Sequence, residues 1–238
     1  FSPDGKSLLY ASERGGSWNL YMTKLNKGDL NFTSSILLKE VPVLVSEKET
    51  FQPSFSPDGK EVAFIEERTV LRVINLKSKK IRTIMPKKYN YSYADGDQHY
   101  EWSPDGKWFL VQFLSEGRWE YECGLASASG DQKIINLTKS GFADYIPQWS
   151  VDGSMMYWYS DKLGGGNIYG MFFTKDAYDK FRLSKEEYEL LKEREKQKKK
   201  KEKLLKKGKK DKAKTKEKKT PKLKPIKIDL KGINDRIV

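Results

Sequence analysis

The sequence predicts an all-β propeller. Three observations carry that reading: a short turn motif that returns along the chain, a strand-length apolar run after every copy, and a second block shared by the first and fourth units. The motif is Phe1-Ser2-Pro3-Asp4-Gly5, repeated as Phe55-Ser56-Pro57-Asp58-Gly59 and Trp102-Ser103-Pro104-Asp105-Gly106, with a worn fourth copy, Trp149-Ser150-Val151-Asp152-Gly153. The copies begin 54, 47 and 47 residues apart. A fixed period of about 40–50 residues suits a four-stranded propeller blade.

Each residue of the motif has a physical task. Proline presets φ for the first corner of a tight turn, Asp bonds back to the turn backbone, and Gly takes the left-handed position that closes it. The aromatic ends one strand and should point into the core. The next strand follows at once, as Ser7–Ala11, Glu61–Ile65, Trp108–Val111 and Met155–Tyr159. The turn therefore joins two antiparallel strands of a hairpin. In the first unit a Gly-rich turn leads to Trp18-Asn19-Leu20-Tyr21-Met22, and an outer strand is expected within Ile36–Val45. The fourth unit repeats the plan with Gly164-Gly165-Gly166 before Asn167-Ile168-Tyr169-Gly170-Met171. Units two and three supply Val70–Leu76 with Ile81–Ile84, and Trp119–Leu125 with Lys133–Thr138. Alternation of polar and apolar positions fits strands packed against a neighbouring blade.

The period breaks after Phe173. Lys175–Lys180 suits a short helix, and a longer one should start at Ser184, which has capping-box spacing to Glu187 and staple residues in Leu183 and Tyr188. From Gln197 to Lys224 the chain is nearly all Lys, with little apolar to bury, so disorder or a fraying helix is expected. Ile226–Val238 then aligns with the strand–turn–strand of unit two. The chain thus divides into propeller repeats over 1–173, a helical and then Lys-rich insertion over 174–225, and a return to the last blade over 226–238. About four blades are present. Because Phe1 sits where the other copies are preceded by strand residues, the natural start is expected upstream, in a larger ring of six or seven blades.

Composition narrows the function classes. The 238 residues carry a formal net charge of +13. Residues 185–224 hold 20 Lys and Arg against 8 Asp and Glu, which leaves 26 against 25 in the rest. The basic character therefore belongs to one segment, and the folded part is nearly neutral. With Cys123 as the one cysteine there is no disulfide framework and no cysteine-based metal site. No apolar run reaches the ~18 residues that a membrane-spanning helix needs.

The run "FSPDGK", a strand, "SERGG" and "NLY" resembles the repeat shared by TolB-type propellers and the propeller domains of tricorn protease and its bacterial homologues. Phe172-Phe173-Thr174-Lys175, Phe181–Glu187, the Lys-rich run, Ile228-Asp229-Leu230 and Asp235-Arg236 are similar to tricorn-like serine proteases of bacteria. The resemblance implies a propeller ahead of a PDZ domain and a catalytic domain that uses Ser, His and Glu. None of those catalytic residues maps onto this chain. It also favours a periplasmic location, with a cytoplasmic one as the alternative.

The remaining candidates read as structural. A catalytic role for His99 would need an oriented nucleophile beside it. Asp95-Gly96-Asp97 suits a polar turn better than a cation site. Cys123 lies mid-strand as a small apolar side chain. The turn acids Asp4, Asp58, Asp105 and Asp152 recur once per blade and serve the turns. The Lys-rich run could touch phosphates, but it lacks the interleaved aromatics that single-strand binding uses, so a solvated insertion is expected rather than a dedicated nucleic-acid site. No catalytic, metal or cofactor site is assigned. The sequence reading is a non-catalytic propeller portion of a tricorn-like protease, unable to hydrolyse peptides alone, that recognises or gates peptides. The alternative is a free-standing TolB-like module that docks proteins. Expected partners are peptides or proteins and other domains of the same parent chain; a homo-oligomer is compatible.

Overall fold

The computed structural model describes residues 1–36, 38–90, 98–115, 117–207 and 223–238. Four antiparallel sheets follow one another along the chain. Sheet 1 contains β1 (Ser7–Ser12), β2 (Asn19–Lys24) and β3 (Lys39–Leu44). Sheet 2 contains β4 (Thr50–Phe55), β5 (Glu61–Glu66), β6 (Val70–Asn75) and β7 (Ile81–Met85). Sheet 3 contains β8 (Tyr100–Trp102), β9 (Trp108–Leu114), β10 (Tyr121–Ser127) and β11 (Ile135–Asn136). Sheet 4 contains β12 (Asp144–Trp149), β13 (Met155–Ser160) and β14 (Asn167–Phe172). Within each sheet the strands pair in chain order. Sheet 1 is thus the repeat unit without its first strand.

The sheets stack face to face, which explains why the second strand of each unit is apolar on both sides. Val62 and Phe64 of β5 pack with Leu20 and Met22 of sheet 1. Their neighbours Ala63 and Ile65 turn the other way, onto Phe109, Val111 and Phe113 of β9. Leu110 faces back toward Trp149, Met156 and Trp158 of sheet 4. Successive side chains on a strand point to opposite faces, so an inner sheet with neighbours on both sides needs a continuous apolar run.

The four repeated turns share one hydrogen-bond pattern, and its hub is the serine. Ser2, Ser56, Ser103 and Ser150 each donate from Oγ to Oδ1 of their Asp at 2.6–2.8 Å. The same Oγ accepts the backbone N–H five residues on. The glycine N–H donates to the serine carbonyl at 2.8 Å in every copy. Gly5, Gly59, Gly106 and Gly153 all have φ of 69–70°, a region open to glycine at no steric cost. The prolines pack turn to turn: a Cβ on Gly59 would lie 3.4 Å from Pro3, and one on Gly106 would lie 3.5 Å from Pro57. At the worn copy Val151 is fully exposed, with no further turn beside it among the described residues.

These turns make stability acid-sensitive. Hydrogen bonds from Ser2 and the Lys6 N–H lower the Asp4 carboxyl, and the Ser154 N–H does the same for Asp152. At Asp58 burial pushes upward, but bonds from Lys60 and Ser56 prevail and the carboxyl is again lowered. A depressed folded value contributes stability above the unfolded value, and that stability is lost as pH falls through the folded value. The urea midpoint should therefore hold steady above about pH 5 and decline below about pH 4. Asp58→Asn should flatten part of that decline; an unaltered profile would remove Asp58 from the acid response.

Three expectations need correction. Phe55 is not as buried as its counterparts Trp102 and Trp149, which are 7 % and 5 % exposed; it is half-buried because sheet 1 offers no first strand to cover it. The strand expected over Lys133–Thr138 shrinks to Ile135–Asn136. Ile226–Val238 is not a strand–turn–strand. Residues 223–230 have no regular structure, Ile233–Arg236 forms a 3-10 turn, and Ile237 makes one antiparallel bridge with Met171 of β14. Gly170 and Val238 there exchange both backbone bonds, at 2.9 and 2.8 Å.

Two helices follow β14. α1 (Lys175–Phe181) is capped by Thr174, whose side chain accepts the Ala177 N–H, and it lays Tyr178 and Phe181 against Phe172. α2 (Lys185–Lys207) opens with a reciprocal capping box between Ser184 and Glu187 and extends ten residues beyond Gln197. Residues 208–222, and with them most of the Lys-rich stretch, lie outside the described residues. Among the described residues no helix is long and apolar enough to cross a membrane.

Candidate functional site

The inner strands β4, β8 and β12 gather the repeat's unusual backbone. Gln52, His99 and Ile146 each lie three residues before the motif aromatic. Gln52 and Ile146 have φ of 47° and 53°, and each precedes a proline. The pairing skips between Phe51 and Ser54 and between Tyr145 and Gln148, so two residues oppose one in both strands. That is a β-bulge, where a proline without an N–H is tolerated. A β-branched residue at positive φ is an outlier, and Ile146 is held there with half of its surface exposed. Such strain concentrates at functional positions.

Sheet 3 has Tyr100 where the other two have proline. Its hydroxyl donates to the Gln52 carbonyl and lies 3.2 Å from the Ala63 carbonyl. Other side chains also bridge one inner strand to the next. Gln52 makes two bonds to the Gln98 backbone, at 3.0 and 2.9 Å. Glu101 accepts the Trp149 N–H at 2.8 Å. His99 Nε2 lies 2.8 Å from the Pro147 carbonyl; a carbonyl can only accept, so Nε2 carries the proton. Burial lowers the His99 pKa despite that bond, and burial raises the Glu101 carboxyl. His99 is therefore tied between blades.

The end of the inner strands opposite the repeated turns is aromatic. Tyr145 contacts Tyr121 of sheet 3 at 5.8 Å between ring centroids and Tyr159 of sheet 4 at 6.5 Å. Ile146 stands beside them, and Phe142 is partly exposed just ahead. Tyrosine offers a large apolar face with a polar tip, a combination suited to contact surfaces.

The other sequence candidates fall elsewhere. Cys123 is fully buried, and burial together with Asp144 and Glu122 pushes its thiol well up, which makes it an inert side chain. Asp95-Gly96-Asp97 lies outside the described residues. Among the described residues no three His, Cys, Asp or Glu side chains are grouped to hold a metal. The sequence reading missed Tyr100 and Tyr145. Their signal was present: Tyr100 stands at the position that is proline in the second and fourth units, and Tyr145 is the second residue of its inner strand, as Phe51 is of β4.

The comparisons agree with this fold. No family profile matches the sequence. Over 146 residues the chain is 27 % identical to a protein named as the tricorn-like protease C-terminal subunit of Sulfurisphaera tokodaii, covering 56 % of this chain and 16 % of that protein. TolB from Acinetobacter baumannii superposes with a TM-score of 0.52 at 20 % identity, over 71 % of this chain and 40 % of TolB. The tricorn protease gives 0.51 at 12 % identity, over 71 % of this chain and 17 % of that enzyme. The chain has a propeller fold like that of TolB and the tricorn protease, and it spans about a sixth of the length of the tricorn-like relative.

Proposed function

We propose that this chain is the non-catalytic propeller portion of a tricorn-like serine protease, where it recognises or gates peptides for a catalytic domain elsewhere in the parent chain. The observation that carries the recognition role is the aromatic end of the inner strands, where Tyr121, Tyr145, Tyr159 and the strained Ile146 form a rigid amphipathic rim. The likeness to a tricorn-like subunit supplies the protease context. Cys123 and His99 support a non-catalytic reading, since one is sealed in the core and the other bonds a backbone carbonyl. The TolB-like module that docks proteins is the second reading, favoured by the TolB superposition alone.

The test is a peptide-library incubation with the purified chain. Weak binding without turnover is expected, and Tyr145→Ala should weaken binding several-fold, in keeping with about 1 kcal/mol for an aromatic contact. Turnover that disappears in His99→Ala would overturn the non-catalytic reading. Binding indifferent to both Tyr145→Ala and Tyr159→Ala would overturn the rim.

A further inference from the structure

The tyrosines of the rim are set among carboxylates. Glu120 precedes β10 and Glu122 lies on it, Asp144 opens β12, and Asp161 follows β13. Glu122 and Asp144 are sealed in, each 1 % exposed. Asp144 is held by neutral donors, the Trp158 Nε1–H at 2.9 Å and the Ser140 hydroxyl at 2.6 Å. Glu122 accepts from the Thr138 hydroxyl at 2.6 Å and the Ser140 N–H at 3.2 Å. Asp161 accepts the Ala143 N–H at 2.9 Å and is exposed, as is Glu120.

Neutral donors fix a carboxylate without cancelling its charge, and a buried charge is screened far less than an exposed one. The consequence is visible at Tyr145. Burial raises the pKa of its hydroxyl, and Asp161, Tyr121, Asp144 and Glu120 all push the same way. The cations of this end leave the field standing. Arg118 donates to the Ser140 carbonyl at 2.9 Å and faces Glu122 at 3.8 Å. Lys162 lies over the Tyr169 ring, 5.8 Å from its centroid, and Lys139 is exposed in the loop ahead of β12. Among the described residues Glu120, Asp144 and Asp161 have no cation within ion-pair distance.

A ring face attracts a cation through its quadrupole, and Tyr145 stands between Tyr121 and the exposed Tyr159. The geometry points to a cation-selective subsite in which a basic side chain of the bound peptide lies across the Tyr145 and Tyr159 rings with its charge beside Asp161 and Glu120. Arginine suits it better than lysine, because a planar guanidinium stacks on a ring. This inference rests on the reading of the rim as a peptide-recognising surface and adds the class of peptide.

The probes are three labelled peptides with blocked ends, identical in an alanine-rich background except for a central arginine, citrulline or leucine. Citrulline keeps the shape of arginine without its charge. In fluorescence anisotropy with the intact chain, the arginine peptide should bind about fivefold more tightly than the citrulline peptide at low salt, and ~0.5 M NaCl should remove most of that difference. Asp161→Asn, which keeps an oxygen for the Ala143 N–H, and Glu120→Gln should each bring the two affinities closer. The double variant, its fold checked by an unchanged thermal midpoint, should make them equal. Equal affinity for the arginine and citrulline peptides in the parent chain, or a preference undiminished in the double variant, would overturn the subsite; the rim would still stand if the leucine peptide binds and Tyr145→Ala weakens it. Binding of none of the three peptides would overturn the subsite and the rim together.

Discussion

Replacing Phe109 by alanine should lower the unfolding free energy by about 3–5 kcal/mol, the cost of deleting a buried aromatic and leaving a cavity. Phe109 is completely buried in the cluster between sheets 2 and 3. Its ring lies 4.1 Å from that of Trp102 and 6.1 Å from that of Tyr100. The substitution therefore removes apolar area, opens a void, and unseats the aromatic that precedes the third turn. Collapse of the void is resisted because sheet 2 is fixed from its other side by Leu20, Val62 and Phe64. Tyr157→Ala is the matched control: this ring is 37 % exposed on the face of sheet 4 that has no neighbouring sheet among the described residues, and it should cost under about 1 kcal/mol. Urea denaturation monitored by tryptophan fluorescence measures both. If the two variants unfold at the same midpoint, the stacked-sheet core does not carry the stability.

The turn motif made the repeat legible because each of its residues acts on its neighbours. Pro, Asp and Gly state the turn, and the apolar run after Gly states a strand packed on both faces. Ser184 and Glu187 announced a helix start for the same reason: the bonds that define it span three residues. What could not be read were contacts between distant parts of the chain. Ile226 meets Asp105 across 121 residues, and nothing local distinguishes its segment from a strand. The serine hub was visible as one of three residues kept in all four copies, with Asp and Gly, yet its function depends on an N–H five residues away. The bulges at Gln52 and Ile146 were half-legible: the prolines argue against regular pairing, but the left-handed backbone before them is a property of the stacked sheets.

Arg236→Ala should cost about 3 kcal/mol, and the loss should be local before it is global. A charged residue is rarely buried without partners, yet Arg236 is 5 % exposed. Its guanidinium donates to the carbonyls of Phe172 and Lys231 at 3.0 Å, to Phe173 at 3.3 Å, and to Asp229. The Phe172 carbonyl ends β14, that of Phe173 follows it directly, and the other two belong to the returning segment, so one fork of donors fastens that segment to sheet 4. Removing it leaves buried acceptors unpaired, at about 1–3 kcal/mol each before relaxation. Relaxation is open to the segment, because Ile237 and Val238 are joined to β14 by one short bridge rather than by a strand. Arg236→Lys keeps the charge but not the planar fork, and one ammonium cannot serve four carbonyls on two elements; it should recover less than half of the loss. Hydrogen exchange should accelerate first at Val238 and Asp229, whose N–H groups bond Gly170 and Phe173, while the Phe64 and Phe109 amides in the central sheets stay protected. An Arg236→Ala chain within about 0.5 kcal/mol of the parent, with those two amides still slow, would show that Ile233 and Asn234, which reach sheet 3, hold the segment without the arginine.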